Sequence, residues 1–207
     1  MQAPCRRILC NVLVFCFVIS VPRIPYCQTG TATVSIDATD AARKIFHSHM
    51  VIPAKPGSVT LYYPKWIPGE HGPTGPIVNL AGLKFVAGGK QISWKRDSVD
   101  MNAFHIDIPQ GANAVEVDLD FLSPTGQNGF TDAASATPHL AMISWNTLLL
   151  YPSDRKPDDI QYAGSIKLPS GWKFGTALPV ERNSGDTVDF RPVSLNSLVD
   201  SPVLTGE

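Results

Sequence analysis

Residues Ala114 to Phe121, AVEVDLDF, alternate without a break. Val115, Val117, Leu119 and Phe121 fall on one side, and Glu116, Asp118 and Asp120 on the other. A period of two fits a strand with one face on a core and the other in water, and does not fit a helix. The same period recurs along most of the chain. ATVSID (Ala32 to Asp37) reads as the first strand. KIFHSHMVI (Lys44 to Ile52) places Phe46, Met50 and Ile52 on one face, with His47 and His49 on the other. SVTLYYPKW aligns Val59, Leu61 and Tyr63. LKFVAGGKQISW reads as a hairpin, because Gly88-Gly89 can take the positive φ that a tight turn needs. AFHIDIP, DIQYAGSIKLP, WKFGTAL and TVDFRPV add further short segments between Pro/Gly turns.

LAMISWNTLLLYP (Leu140 to Pro152) is a continuous apolar run. It reads as a buried strand, with a helical segment as the alternative. SPTGQNGFTDAASATPH (Ser123 to His139) is small and polar and reads as a long surface loop. Strand signals every 8–12 residues, with no amphipathic helix, predict an all-β fold: an antiparallel β-sandwich of about ten strands after an N-terminal signal segment.

Arg6-Arg7 followed by ILCNVLVFCFVIS (Ile8 to Ser20) has the form of a secretory signal. The apolar stretch is short of the ~20 residues a stable membrane span needs. The expected organisation is a signal peptide over 1–28 and one domain over 29–207, secreted or periplasmic. All four cysteines (Cys5, Cys10, Cys16, Cys27) lie in the leader, so no disulfide framework and no cysteine metal site is expected in the domain. Removing residues 1–28 takes three arginines and no acid, so the net charge moves from −1 to −4. No basic stripe is present, which argues against a nucleic-acid partner.

The five histidines stand at 47, 49, 71, 105 and 139, and no two are four apart. A helical H-E-x-x-H zinc site is therefore absent from the sequence. His47 and His49 share a strand face and are weak candidates for a metal, although no third ligand is identifiable. PKWIPGEHGPTGPI (Pro64 to Ile77) sets Glu70-His71 between Pro68-Gly69 and Gly72-Pro73. Two adjacent polar residues on a turn could form an acid/base pair. The simpler reading is a stiff Pro/Gly turn with Trp66 packed beneath it. There is no G-x-S-x-G nucleophile elbow. The Glu116, Asp118 and Asp120 row reads as a solvated strand face. Trp66, Trp94, Trp145 and Trp172 could stack on a sugar, but core or edge packing is the simpler account.

Three stretches together carry a family resemblance. YYPKWIPGEHG (Tyr62 to Gly72) resembles the P-x-W-x-P-G turn of the glycyl aminopeptidase family of zinc metallopeptidases (peptidase family M61). SWNTLLLYP (Ser144 to Pro152) resembles a later strand of the same N-terminal domain. SLNSLVDSPVLTGE (Ser194 to Glu207) resembles its exit segment. In that family an N-terminal β-sandwich precedes a thermolysin-like catalytic domain that carries H-E-x-x-H. The resemblance implies a non-catalytic domain whose partner is the catalytic domain of the same protein, missing from this chain. It implies no catalytic residue and no cofactor here, with zinc in the catalytic domain and peptide substrate met only indirectly. Many members follow the turn with Tyr and then Arg. Here Glu70, His71 and Gly72 follow, and the next arginine is Arg96. By position, Trp66, Glu70 and His71 are the residues expected to face the active-site cleft. The alternatives are a stand-alone secreted module that binds glycans or peptides, and a metal-binding sandwich built on His47 and His49.

Overall fold

The computed structural model describes residues 30–66, 69, 71–126 and 135–207. The expected signal segment 1–28, Glu70, and much of the polar loop fall outside the described residues. In chain order the strands are β1 (Ala32–Asp37), β2 (Ile45–Pro53), β3 (Gly57–Tyr62), β4 (Leu80–Ala87), β5 (Lys90–Ile92) and β6 (Trp94–Arg96). β7 (Ala103–Ile108), β8 (Ala114–Leu122), β9 (Ser135–Ala136), β10 (Leu140–Ile143), β11 (Tyr151–Pro152) and β12 (Gln161–Lys167) follow. The last are β13 (Lys173–Gly175), β14 (Val180–Ser184), β15 (Thr187–Phe190), β16 (Val193–Ser194) and β17 (Val203–Gly206), with a short helix, α1 (Leu195–Val199), before β17. Ser194 caps that helix, accepting a hydrogen bond from the Ser197 N–H at 3.2 Å.

Three sheets share one core. The largest has nine strands, in the order β14-β15-β12-β1-β2-β8-β4-β5 with β16 also on β12. Two four-stranded sheets run β13-β17-β10-β9 and β11-β3-β7-β6. All pairs are antiparallel except β1 with β12, which is parallel. The architecture is the all-β sandwich read from the sequence, with more strands than about ten, because pieces of two to five residues complete the edges. The period-two reading holds at residue level. Val34 and Ile36 of β1, Phe46, Met50 and Ile52 of β2, and Val115, Val117, Leu119 and Phe121 of β8 are all buried. Gly88 and Gly89 close the β4–β5 hairpin with φ of 58° and 72°, which glycine takes without a Cβ penalty.

The run from Leu140 to Pro152 is not one strand. β10 ends at Ile143, Trp145–Thr147 forms a 3-10 turn, and β11 joins a different sheet. Trp145, Leu148, Leu149 and Leu150 are all buried, so period alone could not show the break. Away from a ladder, the buried backbone of this segment needs other partners. Ser48 Oγ donates to the Leu148 carbonyl at 2.6 Å, and the Tyr162 hydroxyl to the Leu150 carbonyl at 2.6 Å. The Tyr63 hydroxyl donates to the Thr147 carbonyl at 3.1 Å. Ser48 therefore sits among apolar neighbours for a reason: it saturates a buried carbonyl, and a polar group left unpaired there would cost roughly 1–3 kcal/mol.

Trp145 pins the sheets together. Its ring meets Phe190 of β15 edge-on at 6.0 Å, and its indole N–H donates to the Ser201 carbonyl at 3.1 Å. Gly164 in β12 makes room for it, since a Cβ there would stand 3.0 Å from the Trp145 ring.

Candidate functional site

The outer face of the nine-stranded sheet brings two histidine–carboxylate pairs side by side. β2 and β8 pair so that His47 lies opposite Asp120 and His49 opposite Asp118. Both contacts are short: His47 Nδ1 to Asp120 at 2.7 Å and His49 Nδ1 to Asp118 at 2.7 Å. Nε2 of His47 also approaches Asp40 at 3.5 Å. Asp120 has space because Gly82 of β4, at φ 63°, lacks a side chain: a Cβ there would meet the Asp120 carboxylate at 2.7 Å. Beside these pairs, Ser165 and Ser35 hydroxyls bond at 3.0 Å and Lys167 meets Asp37 at 3.2 Å. The face forms a shallow trough of about 510 Å³.

The electrostatics follow from the pairing. The hydrogen bond with Asp120 raises the His47 pKa; partial burial opposes it, and Asp40 adds to it. For Asp37, burial pushes upward, but hydrogen bonds from Thr39 and Lys167 outweigh it and the net shift is downward. Each imidazole thus holds its own carboxylate, and the two do not converge on one point. Among the described residues, no group of three or more His, Cys, Asp or Glu is placed to hold a metal. His47 and His49 share the face that the sequence assigned them. Their partners Asp118 and Asp120 were visible only as a charged row, because the register joining them spans about seventy residues.

The Pro/Gly turn is a separate feature. Gly75 N–H donates to the Lys65 carbonyl at 2.7 Å, and a Cβ on Gly75 would collide with the Pro64 carbonyl at 2.1 Å. The turn therefore folds back on its own base. Tyr63 and Pro64 at its start and Ile77 at its end are buried. Trp66 does not pack beneath the turn, contrary to the sequence expectation: it is 64% exposed. His71 is exposed as well, and Glu70 lies outside the described residues. Lys65 pairs with Asp100 and so ties this turn to the β6–β7 turn. That second turn is organised by Asp97, whose carboxylate accepts from the Asp100 and Val99 N–H groups at 2.8 Å each and meets His105 at 2.9 Å. These bonds, that from Asp100 foremost, hold its carboxyl well below the usual range. Of the other tryptophans, Trp145 is core and Trp94 is an edge residue against Phe85 and Phe104.

Among the described residues, neither feature assembles a nucleophile, base and oxyanion site. Residues 33–207 match the family described as the Peptidase M61 N-terminal domain. The chain belongs to that family. All of the Tyr62–Gly72, Ser144–Pro152 and Ser194–Glu207 stretches fall inside the match, so the resemblance read from them is borne out. The M61 N-terminal domain also has solved neighbours. An aminopeptidase N family protein from Idiomarina loihiensis superposes with a TM-score of 0.72 at 18% identity, over 86% of this chain and 29% of that one. An M1 zinc metallopeptidase from Deinococcus radiodurans gives 0.52 at 10%, over 86% and 42%. Yeast LTA4 hydrolase in complex with bestatin gives 0.52 at 9%, over 86% and 28%. At these identities the likeness establishes a shared fold. The chain spans less than half the length of each of these structures. No curated protein sequence is significantly similar to it. No helix among the described residues is long and apolar enough to cross a membrane.

Proposed function

We propose that this domain is the non-catalytic N-terminal β-sandwich of a secreted or periplasmic zinc aminopeptidase, and that it packs on a catalytic domain and shapes its substrate entrance. The match to the M61 N-terminal domain over 33–207 carries the reading. Several neighbours of the same fold are named as zinc metallopeptidases or aminopeptidases, which supports it. The sequence holds no H-E-x-x-H, so the metal-activated water of such an enzyme would come from the catalytic domain. Trp66, Glu70 and His71, on the stiffened turn, are the residues we place at the entrance. The leader read from residues 1–28 supports export.

Purified residues 29–207 assayed on aminoacyl substrates with added zinc test this reading. No turnover is expected. Turnover that a chelator abolishes would sink it.

A further inference from the structure

The four-stranded sheet β13-β17-β10-β9 has an unusual outer face. In its central pair, Met142 of β10 lies opposite Leu204 of β17, and Leu140 lies opposite Gly206. Their neighbours Ala141, Ile143, Val203 and Thr205 point into the core. Leu140, Met142 and Leu204 therefore stand on the other side, with Leu140 48% and Leu204 54% exposed. Gly206 adds no side chain to this patch: a Cβ there would stand 2.6 Å from the His139 carbonyl and 3.3 Å from the Leu140 side chain. Gly175 of β13, opposite Leu204, adds no side chain either. Among the described residues the charges nearest it lie at its border, where Lys173 is exposed and His139 meets Glu207 at 3.1 Å. An apolar centre ringed by polar groups is the anatomy of an interface. Scattered surface leucines need no such account, but these are contiguous by register.

We infer that this face is the seat of the catalytic domain, a statement that rests on the reading proposed above. The occupant follows from connectivity. The matched family is an N-terminal domain, and β17 is the last strand of the match. In a full-length peptidase the following domain is thus tethered at the border of the patch that Leu204 centres. Tethering supplies a high effective concentration, so a modest apolar contact suffices. Contacts between domains of one chain are commonly only roughly 600–1,500 Å². A second apolar display, at Trp66 and Val99, sits on turns, whereas this one sits on paired strands that hold a fixed shape.

Thiol labelling tests the assignment, because residues 29–207 contain no cysteine. Leu140→Cys, Leu204→Cys and, as a control, Val99→Cys are made in residues 29–207 and in the full-length polypeptide of its gene, whose leader is likewise removed. Labelling is followed by the mass of the peptide carrying each site. In the full-length protein, labelling at Leu140→Cys and Leu204→Cys should fall by about tenfold or more, as when exposure requires local opening. Val99→Cys should label equally in both. Equal rates at Leu140→Cys and Leu204→Cys in the two forms would overturn the inference. So would protection at Val99→Cys alone, or protection in residues 29–207 that grows with concentration, which would make a second copy the occupant. Chelator-sensitive aminopeptidase activity of the full-length protein reports on the underlying reading separately. An active enzyme with unprotected Leu204→Cys defeats the interface alone; an inactive one, or a gene that ends at codon 207, defeats both.

Discussion

The nine-stranded sheet and the β13-β17-β10-β9 sheet present opposite outer faces. Both bury an apolar inner face, with Phe46, Met50 and Val117 in the first and Ala141, Ile143 and Val203 in the second. Outside, the first carries charge that is already paired, His47 with Asp120 and His49 with Asp118, both at 2.7 Å. The second carries Leu140 and Leu204, both about half exposed among the described residues, with Met142 between them. Burying one side is enough to fold a sheet. The outer side is then free to answer to solvent or to a neighbour, and these two sheets answer differently.

The contrast holds only if the inner faces act as one core and the outer faces contribute little to stability. Trp145→Ala should give the largest effect, since it leaves a cavity where the ring packs on Gly164 of β12 and Phe190 of β15, and removes the indole N–H bond to the part-buried Ser201 carbonyl. A loss of about 3–5 kcal/mol is expected in a urea melt. Trp66→Ala, on the exposed turn, should cost well under that; equal losses would show that Trp66 is packed after all.

Asp120→Asn probes the charged outer face. His47 has a raised pKa in the fold, so its protonated form is the one the fold favours. Its contribution is complete below the ordinary value of 6.5 and is lost as pH rises through the raised value. Both side chains are more than a third exposed, so the pair contributes below about 1 kcal/mol. The substitution should lower the His47 titration midpoint seen by NMR and remove the extra stability on the acid side. An unmoved midpoint would mean that Asp120 does not hold the imidazole in solution.

Leu140→Lys with Leu204→Lys, made in the 207-residue chain, should change stability least, staying within about 0.5 kcal/mol of the parent in the same melt. A loss of several kcal/mol would mean that these leucines are packed within this chain, and the two outer faces would no longer differ.

Much of this was legible beforehand, and the limits were physical. Local alternation placed β1, β2 and β8 with the correct faces, because each strand has one wet side. Gly88-Gly89 marked the first hairpin through its backbone freedom. The run from Leu140 to Pro152 shows no period because the outward residues of β10, Leu140 and Met142, are as apolar as its inward ones, and Trp145 to Leu150 are buried throughout, so pattern does not mark where the strand ends. The partners of His47 and His49 depend on register across distant strands, which local pattern does not contain. Trp66, which the sequence places beneath its turn, is instead 64% exposed, because local pattern does not show which way a residue on an irregular turn points. The family resemblance came through a few Pro, Gly and Trp positions, where backbone geometry restricts the choice of residue.

Metal analysis after gel filtration tests the central claim most directly. Incubated with zinc and desalted, the full-length polypeptide should retain zinc and lose its aminopeptidase activity when the metal is chelated, while the 207-residue chain should retain none. Stoichiometric zinc on the 207-residue chain, abolished by His47→Ala and His49→Ala, would contradict the account and make this sandwich a metal-binding domain in its own right.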